Sequence, residues 1–225
     1  KDIYGTAVSV HSEGCRTEKG SQAIDWARAE RPAILLPYLI KEVAGVRVAL
    51  IGIDHRNTQN VTTADNVMDL CFADEYDTYV RIHREIEDKA DGFILGIHDG
   101  NTSTDKDLTN LVRKLAPSEE ETLVDAVISG HTHWNYNTNG NGVPMIQSGS
   151  GMTSFGRIDL VWDTERKKLA PGKRKGFGGI RLYHDSCDKA AAAFCKISAS
   201  GLVSYEGVTV VPDSTIETLI DEGLL

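Results

Sequence analysis

Apolar residues in this chain fall in short runs that stop abruptly at polar, glycine-bearing segments, which is the pattern of buried strands joined by loops. Val46 to Ile53, Gly92 to Ile97 and Val124 to Ile128 are three such runs. The first is the second arm of a predicted hairpin, Ile34 to Glu42 turning at Ala44-Gly45 into Val46 to Ile53. Between the runs the period changes from strand-like to helical. Asp74 to Ala90 carries Tyr76, Tyr79, Val80, His83 and Ile86 on one stripe, and Asp107 to Ala116 carries Leu108, Leu111, Val112 and Leu115 at i, i+3, i+4 and i+7. His83, sitting on that stripe, reads as a packed core histidine. Asn139 to Gly142 is turn chemistry leading into a strand over Pro144 to Gln147, and Phe155 to Trp162 alternates as a strand does. Thr62 to Phe72 reads as loop. Residues 1 to 32 are polar and mixed, with a short candidate strand at Ala7 to Val10 and a surface histidine at His11.

Strand, helix, strand over Gly92 to Ile128 is a β-α-β unit, and the fold class is therefore α/β. Such a unit makes its strands parallel with a right-handed connection, so their carboxyl ends open on one edge of the sheet. That edge is where open α/β sheets bind ligands. The chemistry of this chain gathers there. One run ends in His98 and the other in Gly130-His131-Thr132-His133. In an extended segment residues i and i+2 share a face, so His131 and His133 are expected to point into one pocket with Thr132 turned away. Neutral imidazoles suit zinc and related first-row ions, which makes His98, His131 and His133 candidate metal ligands. Val46 to Ile53 delivers His55 to the same edge as a rim residue. Asp99 is placed to orient an imidazole, Asn101 to line the pocket, and Trp134 to offer aromatic surface.

Composition narrows the classes without choosing among them. A chain of 225 residues with 40% hydrophobic side chains can bury one sizeable core. With 33 acidic against 24 basic residues, its net charge of −9 argues against a nucleic acid as main partner. An anionic substrate would then be held by local metal charge. The sequence has no apolar run near the length of a membrane span and no signal-peptide pattern. Cys15, Cys71, Cys187 and Cys195 show no Cys-x-x-Cys spacing, and Cys187 with Cys195 is a candidate disulfide. Arg166, Lys167, Lys168, Lys173, Arg174 and Lys175 lie in a Gly-rich stretch, Thr164 to Gly179, that reads as a solvated hairpin extension.

Taken in order, Pro37 to Gly52, the strand ending in His98, Gly130-His131-Thr132-His133, Asn141 to Gly149 and Phe155 to Leu160 resemble successive blocks of the 5′-nucleotidase branch of calcineurin-like metallophosphoesterases. The likeness runs from about Ile34 to Asp163 and resumes over Val208 to Leu225. It implies a layered αββα sandwich, incomplete in its N-terminal half. One partial catalytic domain would occupy 1–225, with an insertion at 164–206 and the C-terminal nucleotide-recognition domain absent. It also implies two divalent ions, zinc, manganese or similar, with His98 and His131 on one and His133 on the other. The implied reaction is hydrolysis of a small phosphate monoester such as a nucleotide through a metal-bound hydroxide. Ions about 3.5 to 4 Å apart can activate a water and clamp the phosphoryl oxygens together. The implied location is secreted, periplasmic or cell-surface.

The family's earlier ligands, Asp-x-His, Gly-Asp and Gly-Asn-His, are not found in this sequence. Gly100-Asn101 and Gly140-Asn141 continue into Thr and Gly. No catalytic residue is assigned, and this chain alone is expected to hold fewer ions than the complete protein, or none. The expectation is a piece of a longer or split protein whose missing ligands come from a second polypeptide segment. The alternative is a non-catalytic metal- or ligand-binding remnant of the same fold. An unrelated α/β protein with incidental histidines would place His98 and His131 far apart.

Overall fold

A computed structural model describes residues 15–18, 21–24, 36–63, 65, 70–181, 195–197, 203–211 and 213–223. Ala7 to Val10 and His11 lie outside the described residues, as do the side chains of the expected Cys187–Cys195 bridge. Cys71 is buried and disulfide-bonded.

A two-stranded ribbon, β1 (Cys15–Glu18) with β2 (Ser21–Ile24), precedes the main sheet. The hairpin expected at Ala44-Gly45 is present as β3 (Tyr38–Val43) and β4 (Val46–Ile53). Both turn residues adopt positive φ, 51° and 82°. A short helix α1 (Thr58–Val61) and the longer α2 (Glu75–Ile86) lead to β5 (Gly92–Ile97). Asp74 caps α2, its Oδ1 accepting from the Tyr76 and Asp77 amides. Helix α3 (Asp107–Leu115) then crosses to β6 (Ala126–Ser129), and a hairpin of β7 (Asn135–Gly140) and β8 (Val143–Ser148) completes a six-stranded sheet. Its order is β3-β4-β5-β6-β8-β7. Strands β4, β5, β6 and β8 run parallel, flanked by antiparallel β3 and β7. The β-α-β unit read from periodicity is therefore present, and its strands are direct neighbours.

Alternation along the strands sorts the two faces. Ala49, Ile51, Ile53, Leu95, Ile97, Val127, Val143 and Met145 point into one core with Tyr79, Ile82 and Ile86 of α2 and Leu108, Val112 and Leu115 of α3. On the opposite face Val48, Leu50 and Ile94 are half-buried and Ile128 is exposed. Over β7 and β8 that second face is covered by β9 (Phe155–Asp159) and β12 (Lys175–Ile180), an antiparallel pair separated in sequence by the small β10 (Trp162–Asp163) and β11 (Lys168–Leu169).

Thr164 to Gly179 differs from the solvated extension expected of it. A Cβ added to Gly176 would lie 2.5 Å from Asn137 Oδ1, and one added to Gly178 would lie 3.0 Å from the Tyr136 carbonyl. Glycine here serves close packing. Arg174, one of six neighbouring cations, has its side chain buried and bonds Asp125 Oδ1 through Nη2 at 2.7 Å. Beyond lie β13 (Cys195–Ile197), β14 (Val203–Tyr205) and β15 (Val208–Thr209), which form a three-stranded sheet, and helix α4 (Ser214–Asp221). Ile180 and Val203 are buried together there, with Phe177 and Tyr205 packed against them.

Candidate metal centre

The carboxyl edge of the parallel strands brings His98, His131 and His55 together. His98 follows β5 directly, its amide donating to the Ile53 carbonyl at the end of β4, so β4 and β5 end side by side. Asp99 returns the tie from its own carbonyl to the Gly130 amide after β6. His98 Nε2 and His131 Nδ1 consequently stand 3.3 Å apart, with ring centroids separated by 5.1 Å. The wide separation expected of incidental histidines in an unrelated protein is not what the structure has, across 33 residues of sequence. Two imidazole nitrogens bound to one tetrahedral ion by bonds of about 2.0–2.1 Å lie roughly 3.4 Å apart, so this pair fits a shared ion.

The local conformation of Gly130-His131-Thr132-His133 corrects the extended segment read from the sequence. His131 and His133 both adopt left-handed φ, 66° and 58°, and the segment is loop. Thr132 does not turn away. Its Oγ1 reaches the Asn101 carbonyl at 3.1 Å and the buried Gln147 amide, whose nitrogen in turn donates to the Trp134 carbonyl at 2.7 Å. Thr132 thus anchors the loop while His131 faces the cluster. Two histidines in a sparsely populated region, pinned by a buried polar anchor, form a device that holds side chains against local preference. Burial, and then the neighbouring imidazoles of His98, His55 and His133 against an opposing Asp99, hold His131 below the ordinary histidine value. The neutral, ligating form is thereby favoured. His133 stands exposed beyond Thr132.

The rim residues divide. His55 stacks on His131 at 5.4 Å, and its Nε2 lies 3.6 Å from Asp99 Oδ1. The imidazole that Asp99 faces is that of His55, and the same Oδ1 accepts from the Gly100 amide at 2.7 Å. Asn101 does not line a pocket; it is buried, and its amide exchanges bonds with Thr109 of α3. Trp134 is 46% exposed at this edge. Sequence reasoning missed Glu75, the buried first residue of α2, which accepts from the Arg56 amide at 2.9 Å. Ligand atoms of His55, Glu75 and Asp99 all lie within 4.8 Å of one another. Only an adjacent capping Asp marked Glu75 in the sequence, and that signals a helix start, not a ligand.

Solved structures share this architecture. The calcineurin-like phosphoesterase YfkN from Bacillus subtilis superposes with a TM-score of 0.60 at 17% identity, covering 86% of this chain and 57% of that one. A 5′-nucleotidase precursor from Thermus thermophilus superposes with a TM-score of 0.51 at 19% identity, covering 65% and 30%. The chain has the calcineurin-like metallophosphoesterase fold. The chain spans 57% of the length of YfkN and 30% of that of the nucleotidase precursor. In sequence it is 31% identical over 110 residues to the cell wall protein Lmo0130 of Listeria monocytogenes, a stretch that is 44% of this chain and 14% of that protein. No family model matches the chain. Among the described residues no helix is long and apolar enough to cross a membrane.

Proposed function

We propose that this chain is part of a metal-dependent phosphoesterase of the 5′-nucleotidase type, hydrolysing a small phosphate monoester such as a nucleotide. The observation carrying this reading is the 3.3 Å approach of His98 Nε2 to His131 Nδ1 across adjacent parallel strand ends, in a fold it shares with a phosphoesterase and a nucleotidase. His98 and His131 would hold one divalent ion, zinc, manganese or similar, and His133 a second. Bound there, such ions supply charge for the phosphoryl oxygens and lower the pKa of a water. The protein's part is positional. The Thr132–Gln147 anchor fixes His131, and exposed Trp134 offers a planar apolar surface of the kind a base can stack on. In this reading the chain is one partial catalytic domain, residues 164–206 are an insertion, and nucleobase recognition lies on a further domain. The resemblance to a cell wall protein and the disulfide at Cys71 support an extracellular or surface location.

A second reading, a binding remnant that does not hydrolyse, is favoured by the lack of Asp-x-His, Gly-Asp and Gly-Asn-His in this sequence. Nucleoside monophosphate hydrolysis with Mn²⁺, measured for this chain and for any longer form of the protein, separates the two. Loss of hydrolysis in His131→Ala with the fold retained is expected. Undiminished activity in that variant, or no hydrolysis by any form, would sink the enzymatic reading.

A further inference from the structure

We propose that His55, Glu75 and Asp99 form a divalent-cation site next to the His98–His131 pair, so that this chain provides carboxylate ligands of its own. The inference deepens the metal-centre reading above but does not require phosphate esters to be the substrate.

Three elements converge to make the site. His55 follows β4, Asp99 follows β5, and Glu75 opens α2, where the Asp74 cap frees the Glu75 side chain from helix-end duty. Their ligand atoms lie within 4.8 Å of one another. The 3.6 Å between His55 Nε2 and Asp99 Oδ1 is too long for a hydrogen bond but close to the roughly 3.4 Å edge of a tetrahedral ion with bonds of about 2.1 Å. Two carboxylates are brought together with one cationic neighbour, Arg56, whose Nε is 3.7 Å from Glu75 Oε2. A bound cation would relieve the remaining negative charge. One imidazole and two carboxylates are a mixed nitrogen and oxygen set that accepts Mn²⁺ or Zn²⁺. His131, stacked on His55, joins this site to the imidazole pair.

Ligation by His55 makes a specific demand. Its Nδ1 accepts from the Asn57 amide at 2.9 Å, so the neutral ring carries its proton on Nε2, the atom that faces Asp99. Nε2 can bind a cation only after that proton leaves and Nδ1 gains one, with no net proton change and with the Asn57 contact given up. The site therefore records occupancy as a reversal of the His55 tautomer.

The test titrates the metal-free 225-residue chain with Mn²⁺ by calorimetry and with Zn²⁺ by ¹⁵N-detected histidine spectra. The double variant Glu75→Gln/Asp99→Asn, near-isosteric and checked for folding by circular dichroism, is expected to bind roughly tenfold or more weakly. Single variants serve if the double variant does not fold. In the unsubstituted chain the His55 ring is expected to move its proton from Nε2 to Nδ1 on Zn²⁺ binding. Wild-type affinity and stoichiometry in the folded variants, an unchanged His55 tautomer at saturation, or no cation binding by the chain would each overturn the proposal. Cation binding at Glu75 and Asp99 without hydrolysis by any form would sink the phosphoesterase reading and leave this one standing.

Discussion

Asp125→Asn isolates the charge that keeps the Gly-rich segment inside the fold. Asp125 stands at the start of β6, at the sheet edge opposite the histidines. Its Oδ2 accepts from the Phe93 amide at 2.9 Å and its Oδ1 from Arg174. Burial raises the Asp125 carboxyl above its ordinary value, while the Phe93 amide and Arg174 oppose the shift. Asparagine keeps the volume and an acceptor for Phe93, so the substitution removes little except the counter-charge. Arg174, with 2% of its side chain exposed, cannot neutralise itself by losing a proton. Its Nε and Nη1 already have no partner among the described residues, so the variant leaves a buried guanidinium without compensation. Breaking a buried pair in this way costs about 3–5 kcal/mol. For a chain of this size that corresponds to a fall in Tm of roughly 6–20 °C. Urea and thermal unfolding followed by circular dichroism measure it, and Asp125→Asn/Arg174→Met is expected to recover most of the loss. A change below about 1 kcal/mol, the range of an exposed ion pair, would refute the reasoning and return residues 164–179 to the solvent.

Other outcomes follow from single contacts. Gly100→Ala would place a Cβ 2.6 Å from the Gly130 carbonyl and against the Gln147 side-chain oxygen, so the Thr132–Gln147 anchor must shift; loss of Zn²⁺ affinity with the fold retained is the expected result, and unchanged affinity the contrary one. Tyr79→Phe removes the donor to the Leu123 carbonyl, 2.9 Å away in the core, and is expected to cost about 1–3 kcal/mol in urea unfolding. His83, its ring 4.3 Å from Phe93, is held below the ordinary histidine value by burial, against the pull of Glu87. Between its folded and unfolded values the unfolded chain binds more protons. Its contribution is thus complete above the unfolded value of about 6.5 and is lost as pH falls below that and through the lower folded value. Comparison with His83→Leu across that range should show a steeper acid decline in the unsubstituted chain; parallel curves would contradict the assignment.

Much of the scaffold was legible because periodicity and turn chemistry act locally. The β3–β4 hairpin, the stripe on α2 and the β5-α3-β6 crossover each follow from spacing within one segment. The meeting of His98 with His131 was legible too, since a right-handed crossover places neighbouring carboxyl ends together. What escaped depends on contacts between distant segments. Nothing near Arg174 separates it from the five other basic residues of its stretch; Asp125 does, from 49 positions away. Glu75 becomes a candidate ligand only when α2 docks beside β4. The left-handed turns at His131 and His133 are held by the Thr132 anchor, whose partners are Asn101 in the loop after β5 and Gln147 on β8. Asn101 illustrates the reverse error: a polar loop residue near His98 is spent on holding α3.

Anomalous diffraction from crystals grown with Zn²⁺ tests the central claim most directly. The account predicts an ion within about 2.0–2.1 Å of both His98 Nε2 and His131 Nδ1. Saturated crystals in which those rings stay hydrogen-bonded to each other, with the zinc bound elsewhere, would contradict it.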